Sequence, residues 1–171
     1  MSTEKTRSMI RVDQAGEYGA VRIYAGQLAV MGSLAPHSDK LVAMAAQEAA
    51  HRRDFDALQR ARGIRPTVLQ PLWHIAGFAL GAATALVSPE AAMACTAAIE
   101  TEIDRHYSQQ LQDIGPDDPE LTTLITAAQA DEREHRETAL AAGAERAPAY
   151  PLLSGVIRLG CRAAIALSQR I

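Results

Sequence analysis

Aromatic side chains are scarce in this chain, seven of 171 residues against 34 alanines. Sheets draw on β-branched and aromatic residues, so an apolar fraction of 48% that leans on alanine argues against a β-rich fold and predicts an all-α one. Cysteine is nearly absent. Cys95 and Cys161 stand far apart in apolar surroundings with no C-x-x-C pair, which excludes a disulfide-dense scaffold and fits buried thiols in a reducing compartment. Positive charge is not in excess: a net charge of −3 argues against affinity built on neutralising phosphates, so nucleic acid is not expected as a partner. No apolar run follows the charged N-terminal residues, and no secretory signal is expected. Nor is there an Arg-rich, acid-poor presequence, which leaves a bacterial chain or a mature mitochondrial one, the alanine content favouring the former. The length fits a single domain over 1–171, since domains typically run about 100–200 residues.

What is present is unevenly spread. Residues 146–171 hold Arg146, Arg158, Arg162 and Arg170 and no acid, a charge of +4 that leaves −7 on the rest. Punctuation by glycine and proline predicts helices over about 11–30, 38–62, 89–114 and 119–142. Ser88 is expected as an N-cap before Pro89, and Asp117 or Asp118 as the cap of the following helix. Between the second and third of these helices lies an insert over about 66–89 with no formal charge, of which 72–87 is cleanly apolar, and a terminal helix is expected over about 150–171.

Two strings share one spacing. Glu48-Ala49-Ala50-His51 and Glu132-Arg133-Glu134-His135 are the two Glu-x-x-His sequences in the chain. Each is preceded by a further glutamate at nearly the same interval, Glu17 by 31 positions and Glu100 by 32. The pattern predicts a duplicated helical hairpin, about 9–62 and 89–142. Residues i and i+3 share a helix face, so each motif presents an oxygen and a nitrogen to one point. Four carboxylates and two imidazoles from four helices are the ligand set of ferritin-like di-iron and di-manganese bundles. Four carboxylates balance two divalent ions, and the mixed oxygen and nitrogen set suits iron or manganese, with zinc still open on ligand type alone.

The strings Arg11-Val12-Asp13-Gln14-Ala15-Gly16-Glu17-Tyr18-Gly19-Ala20 and Arg22-Ile23-Tyr24-Ala25-Gly26-Gln27, with shorter ones such as Pro71-Leu72-Trp73, Gly77-Phe78-Ala79-Leu80-Gly81 and Ala147-Pro148-Ala149-Tyr150, carry a further signal. By them the chain resembles the demethoxyubiquinone hydroxylase family of ubiquinone biosynthesis. It implies a ferritin-like bundle in which Glu17, Glu48, His51, Glu100, Glu132 and His135 hold two iron ions, Glu48 and Glu132 bridging and Glu17 and Glu100 terminal. Asp131, just before the second motif, is a candidate acceptor for a ligand imidazole, with Gln47 in the equivalent place of the first half. Tyr107, seven positions after Glu100, and Tyr24 are candidates for the layer behind the ligands, with ordinary packing as the alternative for each. His74 lacks an acid at ligand spacing and reads as a packing or interfacial residue.

The resemblance implies a monooxygenase that hydroxylates the ring of a polyprenylated benzoquinol, demethoxyubiquinol, with dioxygen and two electrons from the quinol itself or a nicotinamide. A lipid-binding accessory protein belongs to the same implication. The tail of such a substrate lives in a bilayer. The insert is accordingly expected to lie at the membrane surface, with Trp73 and Phe78 at headgroup level, and the terminal helix to bring Arg158 and Arg162 to anionic lipid. This predicts a peripheral protein of the bacterial inner membrane on its cytoplasmic face, or of the mitochondrial inner membrane on its matrix face. Packing of both segments as core or as the interface of a homo-oligomer is the alternative. A ferritin-like iron oxidase and storage subunit is the rival function. It would share the six ligands, but its shell has no place for a long uncharged stretch.

Overall fold

The computed structural model describes residues 3–170. Six helices follow one another: α1 (Thr3–Met31), α2 (Ser38–Ala61), α3 (Gln70–Val87), α4 (Pro89–Ile114), α5 (Pro119–Ala141) and α6 (Tyr150–Ser168), with a single 3₁₀ turn, Ala144–Arg146, before the last. There is no strand among the described residues. The fold is an all-α bundle, as the alanine-rich composition predicts. Ser88 caps α4 by accepting from Ala91 N at 3.1 Å, and of the two aspartates before α5 it is Asp118 that caps, accepting from Leu121 N at 3.1 Å. Gly63 and Gly115 end α2 and α4 with positive φ, which a side chain would resist.

Helices α1, α2, α4 and α5 form the core as two hairpins. Along each of them the buried residues fall into two apolar layers. One contains Tyr24, Leu41, Met44, Ala94, Ala97 and Ala139. The other contains Met9, Ile10, Phe55, Leu58, Ile114, Leu121 and Ile125. On every one of the four helices the predicted ligand positions lie between the two layers. The second layer explains why α1 begins at Thr3 and not at about Arg11: Met9 and Ile10 are buried in it, and no glycine or proline interrupts the turns before them.

Helices α3 and α6 lie outside this core. Helix α3 runs alongside α1 at very close range. A Cβ placed on Gly81 would lie 2.0 Å from Ile23 O, and one on Gly26 would lie 2.2 Å from Phe78 O. Gly81→Ala is therefore expected to push α3 off α1 and to lower stability by roughly 1–3 kcal/mol, read as a lower midpoint of thermal or urea unfolding.

Helix α6 packs on α4 and is, among the described residues, the one helix long and apolar enough to cross a membrane. Its arginines have a partner that the sequence does not mark. Arg158 and Arg162, with side chains 41% and 44% exposed, also face a carboxylate. Arg158 Nε donates to Glu102 at 2.7 Å, Arg162 Nε stands 3.8 Å from the same carboxylate, and Arg105 joins them at 2.7 Å. Glu102 is fully buried on α4, so its unpaired charge would be costly, and the arginines of α6 offset that cost while fixing the helix in place. The outer faces of α3 and α6 are apolar and exposed, through Leu72, Ile75 and Leu86 on one and Leu152, Val156 and Leu159 on the other. The terminal helix ends at Ser168; Ile171, to which it was expected to run, lies outside the described residues.

Candidate metal centre

Each core helix delivers its predicted side chain to the same place. The ligand atoms of Glu17, Glu48, His51 and Glu132 all lie within 4.8 Å of one another, and so do those of Glu48, Glu100, Glu132 and His135. The two groups share Glu48 and Glu132. All six side chains are buried, Glu48 completely. His51 Nδ1 is 3.6 Å from Glu17 Oε2 and 3.5 Å from Glu132 Oε1, while His135 Nδ1 is 3.1 Å from Glu48 Oε1 and 3.3 Å from Glu132 Oε2. Helical spacing of i and i+3 aims each motif's pair at one point, and the short loops between α1 and α2 and between α4 and α5 bring the lone glutamates opposite.

The outward sides of these groups are held by hydrogen bonds that cross between the hairpins. Asp131 on α5 lies 2.9 Å from His51 Nε2, and Gln47 Oε1 on α2 lies 2.9 Å from His135 Nε2. A carboxylate and an amide oxygen only accept, so both imidazoles carry the proton on Nε2 and turn Nδ1 inward. Tyr24 donates to Glu100 Oε1 at 3.2 Å, and Tyr107 donates to Glu17 Oε1. Burial first, then the adjacent Glu100 and Glu17, push these two phenols well above their usual range, so they remain donors at neutral pH.

The inward atoms have no such partners. Glu17 Oε2, both oxygens of Glu48, Glu132 Oε2, His51 Nδ1 and His135 Nδ1 are buried without a hydrogen bond. Orphaned atoms of this kind are rare in folded proteins, and six of them converging on one spot fit a pair of cations. The donors are four carboxylates and two imidazoles, which suit divalent iron or manganese.

Crowding and burial shift the proton affinity of every group in the cluster. Burial, and then repulsion from Glu132, raise Glu48 and Glu100 well above the usual carboxylate range; Glu17 is raised as well, chiefly by burial. Burial would also raise Glu132, but the neighbouring His135 and His51 imidazoles, with Glu100, outweigh it and bring it down to about 2. Burial pulls both imidazoles down, and the carboxylates outweigh it, Glu132 and Glu17 pushing His51 up to about 12 and Glu132 and Glu48 pushing His135 up to about 9. Cations must displace these protons. Anaerobic addition of ferrous ion to weakly buffered protein near pH 7 is expected to release about two protons or more per chain, read with a pH electrode. Apparent metal affinity is expected to weaken as the pH is lowered, because protons then compete for the same atoms.

Beside the centre lies an apolar cleft of about 390 Å³. Its walls are α3 and α6, from Trp73, Gly77 and Leu80 on one side to Ile157, Cys161 and Ile165 on the other. Its floor is α1, through Gly16, Gly19 and Ile23, and α4, through Ile99 and Ile103. It follows α1 from Val12 to Ile23, a length of roughly 16 Å at the helical rise. Gly16 adjoins Glu17 and Ile99 adjoins Glu100, so the floor of the cleft comes from the helix turns that carry those two carboxylates. At one end Trp73 Nε1 donates to Ser168 Oγ at 3.0 Å, tying α3 to α6. His74 stands apart from the carboxylates, its Nδ1 2.7 Å from Tyr18 Oη.

Sequence spacing did not reveal the cleft, whose walls come from segments far apart in the chain. The crossing tyrosines did leave a signal: Tyr24 follows Glu17, and Tyr107 follows Glu100, by the same seven positions.

An all-α core with four buried carboxylates and two imidazoles in overlapping sets has the architecture and donor set of the ferritin-like di-metal carboxylate bundles. Comparison with known proteins narrows the class. The family model described as "Ubiquinone biosynthesis protein COQ7" matches residues 4–168, and the chain belongs to that family. It is similar to the 3-demethoxyubiquinol 3-hydroxylase of Rhodospirillum rubrum, 52% identical over 162 residues that cover 95% of this chain and 76% of the relative. It is also similar to the human protein named NADPH-dependent 3-demethoxyubiquinone 3-hydroxylase, mitochondrial, 49% identical over 169 residues with the same coverage. The 5-demethoxyubiquinone hydroxylase, mitochondrial, of Saccharomyces cerevisiae is 42% identical over 179 residues, 95% of this chain and 77% of that one. The relatives are thus hydroxylases of ubiquinone biosynthesis.

Proposed function

We propose that the chain is a two-iron monooxygenase that hydroxylates the ring of a demethoxyubiquinol during ubiquinone biosynthesis. The observation that carries this reading is the pair of overlapping ligand groups, with Glu48 and Glu132 common to both, set against an apolar cleft. Glu48 and Glu132 would bridge, Glu17 and His51 would complete one ion's ligands, and Glu100 and His135 the other's. When bound, the two irons supply reductive activation of dioxygen and oxidation of the electron-rich ring. The protein contributes position and exclusion of water. Tyr107 and Tyr24 hold one oxygen of each terminal carboxylate and leave the other directed inward. Asp131 and Gln47 keep both imidazoles turned with Nδ1 toward the carboxylates. The two apolar layers above and below keep water from the cluster.

The cleft suits a prenyl tail, since no charged side chain lines it. It opens between α3 and α6, whose outer apolar faces would rest on the membrane surface, so that substrate passes from lipid into the cleft without crossing water. The chain would then work as a peripheral protein of a bacterial inner membrane, or of the mitochondrial inner membrane where its human and yeast relatives' names place them in that organelle. The NADPH dependence in the human relative's name supports a nicotinamide source for the two electrons.

The reading is tested by loading the full chain anaerobically with ferrous iron, adding a demethoxyubiquinol in detergent or vesicles, and admitting dioxygen for a single turnover. Hydroxylated quinol is expected. Two irons per chain with iron oxidation and no hydroxylated product would contradict the proposal and favour a ferritin-like oxidase.

A further inference from the structure

The hydrogen-bond partners of the six side chains repeat between the hairpins until one position. Tyr24, seven residues after Glu17, donates to Glu100, and Tyr107, seven after Glu100, donates to Glu17, so a phenol answers a phenol. The residue before each motif glutamate also crosses to the other hairpin, Asp131 to His51 and Gln47 to His135, both at 2.9 Å. There the chemistry changes, because a carboxylate faces one imidazole and a neutral amide the other. In all else the two groups have like composition: one lone glutamate, one imidazole, and the two shared carboxylates.

We infer that this difference makes the two ion positions unequal: the position of Glu17 and His51 binds a divalent cation more tightly than that of Glu100 and His135, and fills first. The inference rests on the two-metal reading of the centre. An imidazole whose remote N–H donates to a carboxylate takes on imidazolate character and gives more electron density through its other nitrogen than one donating to an amide oxygen. Partners of this kind change metal affinity by about 10- to 100-fold. Asp131 also adds negative charge beside one position, where Gln47 adds none beside the other. Its side chain is 38% exposed at the rim of the bundle, so an isosteric replacement there leaves the buried packing intact.

The test is anaerobic titration of the metal-free full chain with Co²⁺, followed by calorimetry and visible absorption. Two steps are expected, with dissociation constants about 10- to 100-fold apart. Asp131→Asn is expected to weaken the first step alone and draw the two together, and Gln47→Glu to tighten the second alone. Circular dichroism confirms that both variants keep their helices. Two steps of equal affinity in the unaltered chain overturn the inference, and so does an Asp131→Asn variant that weakens both steps alike or neither. Fewer than two ions per chain overturns the two-metal reading as well, an outcome distinct from two equal steps.

Discussion

Glu132→Ala is expected to abolish hydroxylation and to reduce bound iron from two per chain to fewer than one. Glu132 belongs to both ligand groups, with Oε1 3.5 Å from His51 Nδ1 and Oε2 3.3 Å from His135 Nδ1. It is also the one carboxylate of the four held below its ordinary range, because the two neighbouring imidazoles and Glu100 favour its charged form enough to outweigh burial. Glu17, Glu48 and Glu100 are raised, chiefly by burial, so in the unaltered chain Glu132 is the carboxylate that offers its charge to a cation most readily. Loss of a shared ligand removes several kcal/mol of metal binding, and turnover is expected to fall by about a thousand-fold or more. Elemental analysis and single-turnover product yield check this, with circular dichroism to show that the helices persist. A variant that still binds two irons would contradict the assignment of Glu132 as the common ligand.

The second large effect is expected at the cleft. Gly19→Leu should lower hydroxylation by roughly 10- to 100-fold while leaving two irons bound, since misplacement of a substrate by about 1 Å already costs about 100-fold. Gly19 lines the cleft two residues from Glu17, and a Cβ built on it meets nothing within 4 Å. A leucine there therefore projects into open space and fills it, and replacing glycine in a helix favours the helix by up to about 1 kcal/mol. The contrast with Gly81, whose Cβ would strike the backbone of α1, separates a blocked cleft from a disturbed fold. The single tryptophan provides a second readout. Trp73 stands at the end of the cleft, so an oxidised demethoxyubiquinone should quench its fluorescence in the parent protein and much less in Gly19→Leu. Equal quenching and equal turnover in both would show that substrate does not use the cleft.

Much of the centre was legible before any coordinates, because its logic is local and repeated. Glu17 and Glu48 recur as Glu100 and Glu132 at offsets of 83 and 84, and the Glu-x-x-His spacing fixes which face of each helix is involved. The same offset of 83 relates Tyr24 to Tyr107 and foretells that their roles correspond. That each crosses to the other hairpin depends on how α1 and α4 face one another, which no local spacing encodes. The early start of α1 was hidden because Thr3–Met9 is mostly polar, and the burial of Met9 and Ile10 is decided by α2, α4 and α5. Arg158 and Arg162 have a protein partner that the sequence does not mark. An arginine pair beside an apolar helix face looks alike in sequence whether its partner is a lipid phosphate or a carboxylate 56 residues away, and Glu102 is that carboxylate. The cleft was illegible for the same reason as any cavity between distant segments: Gly16, Leu80 and Ile157 share no pattern along the chain.

The most direct test of a dioxygen-using hydroxylase at this site is the mass of the product formed in one turnover of the ferrous-loaded chain under ¹⁸O₂ in ordinary water. Incorporation of one ¹⁸O atom into the new ring hydroxyl is predicted. A hydroxyl carrying oxygen from water, or no hydroxylated product with two irons bound, would contradict it.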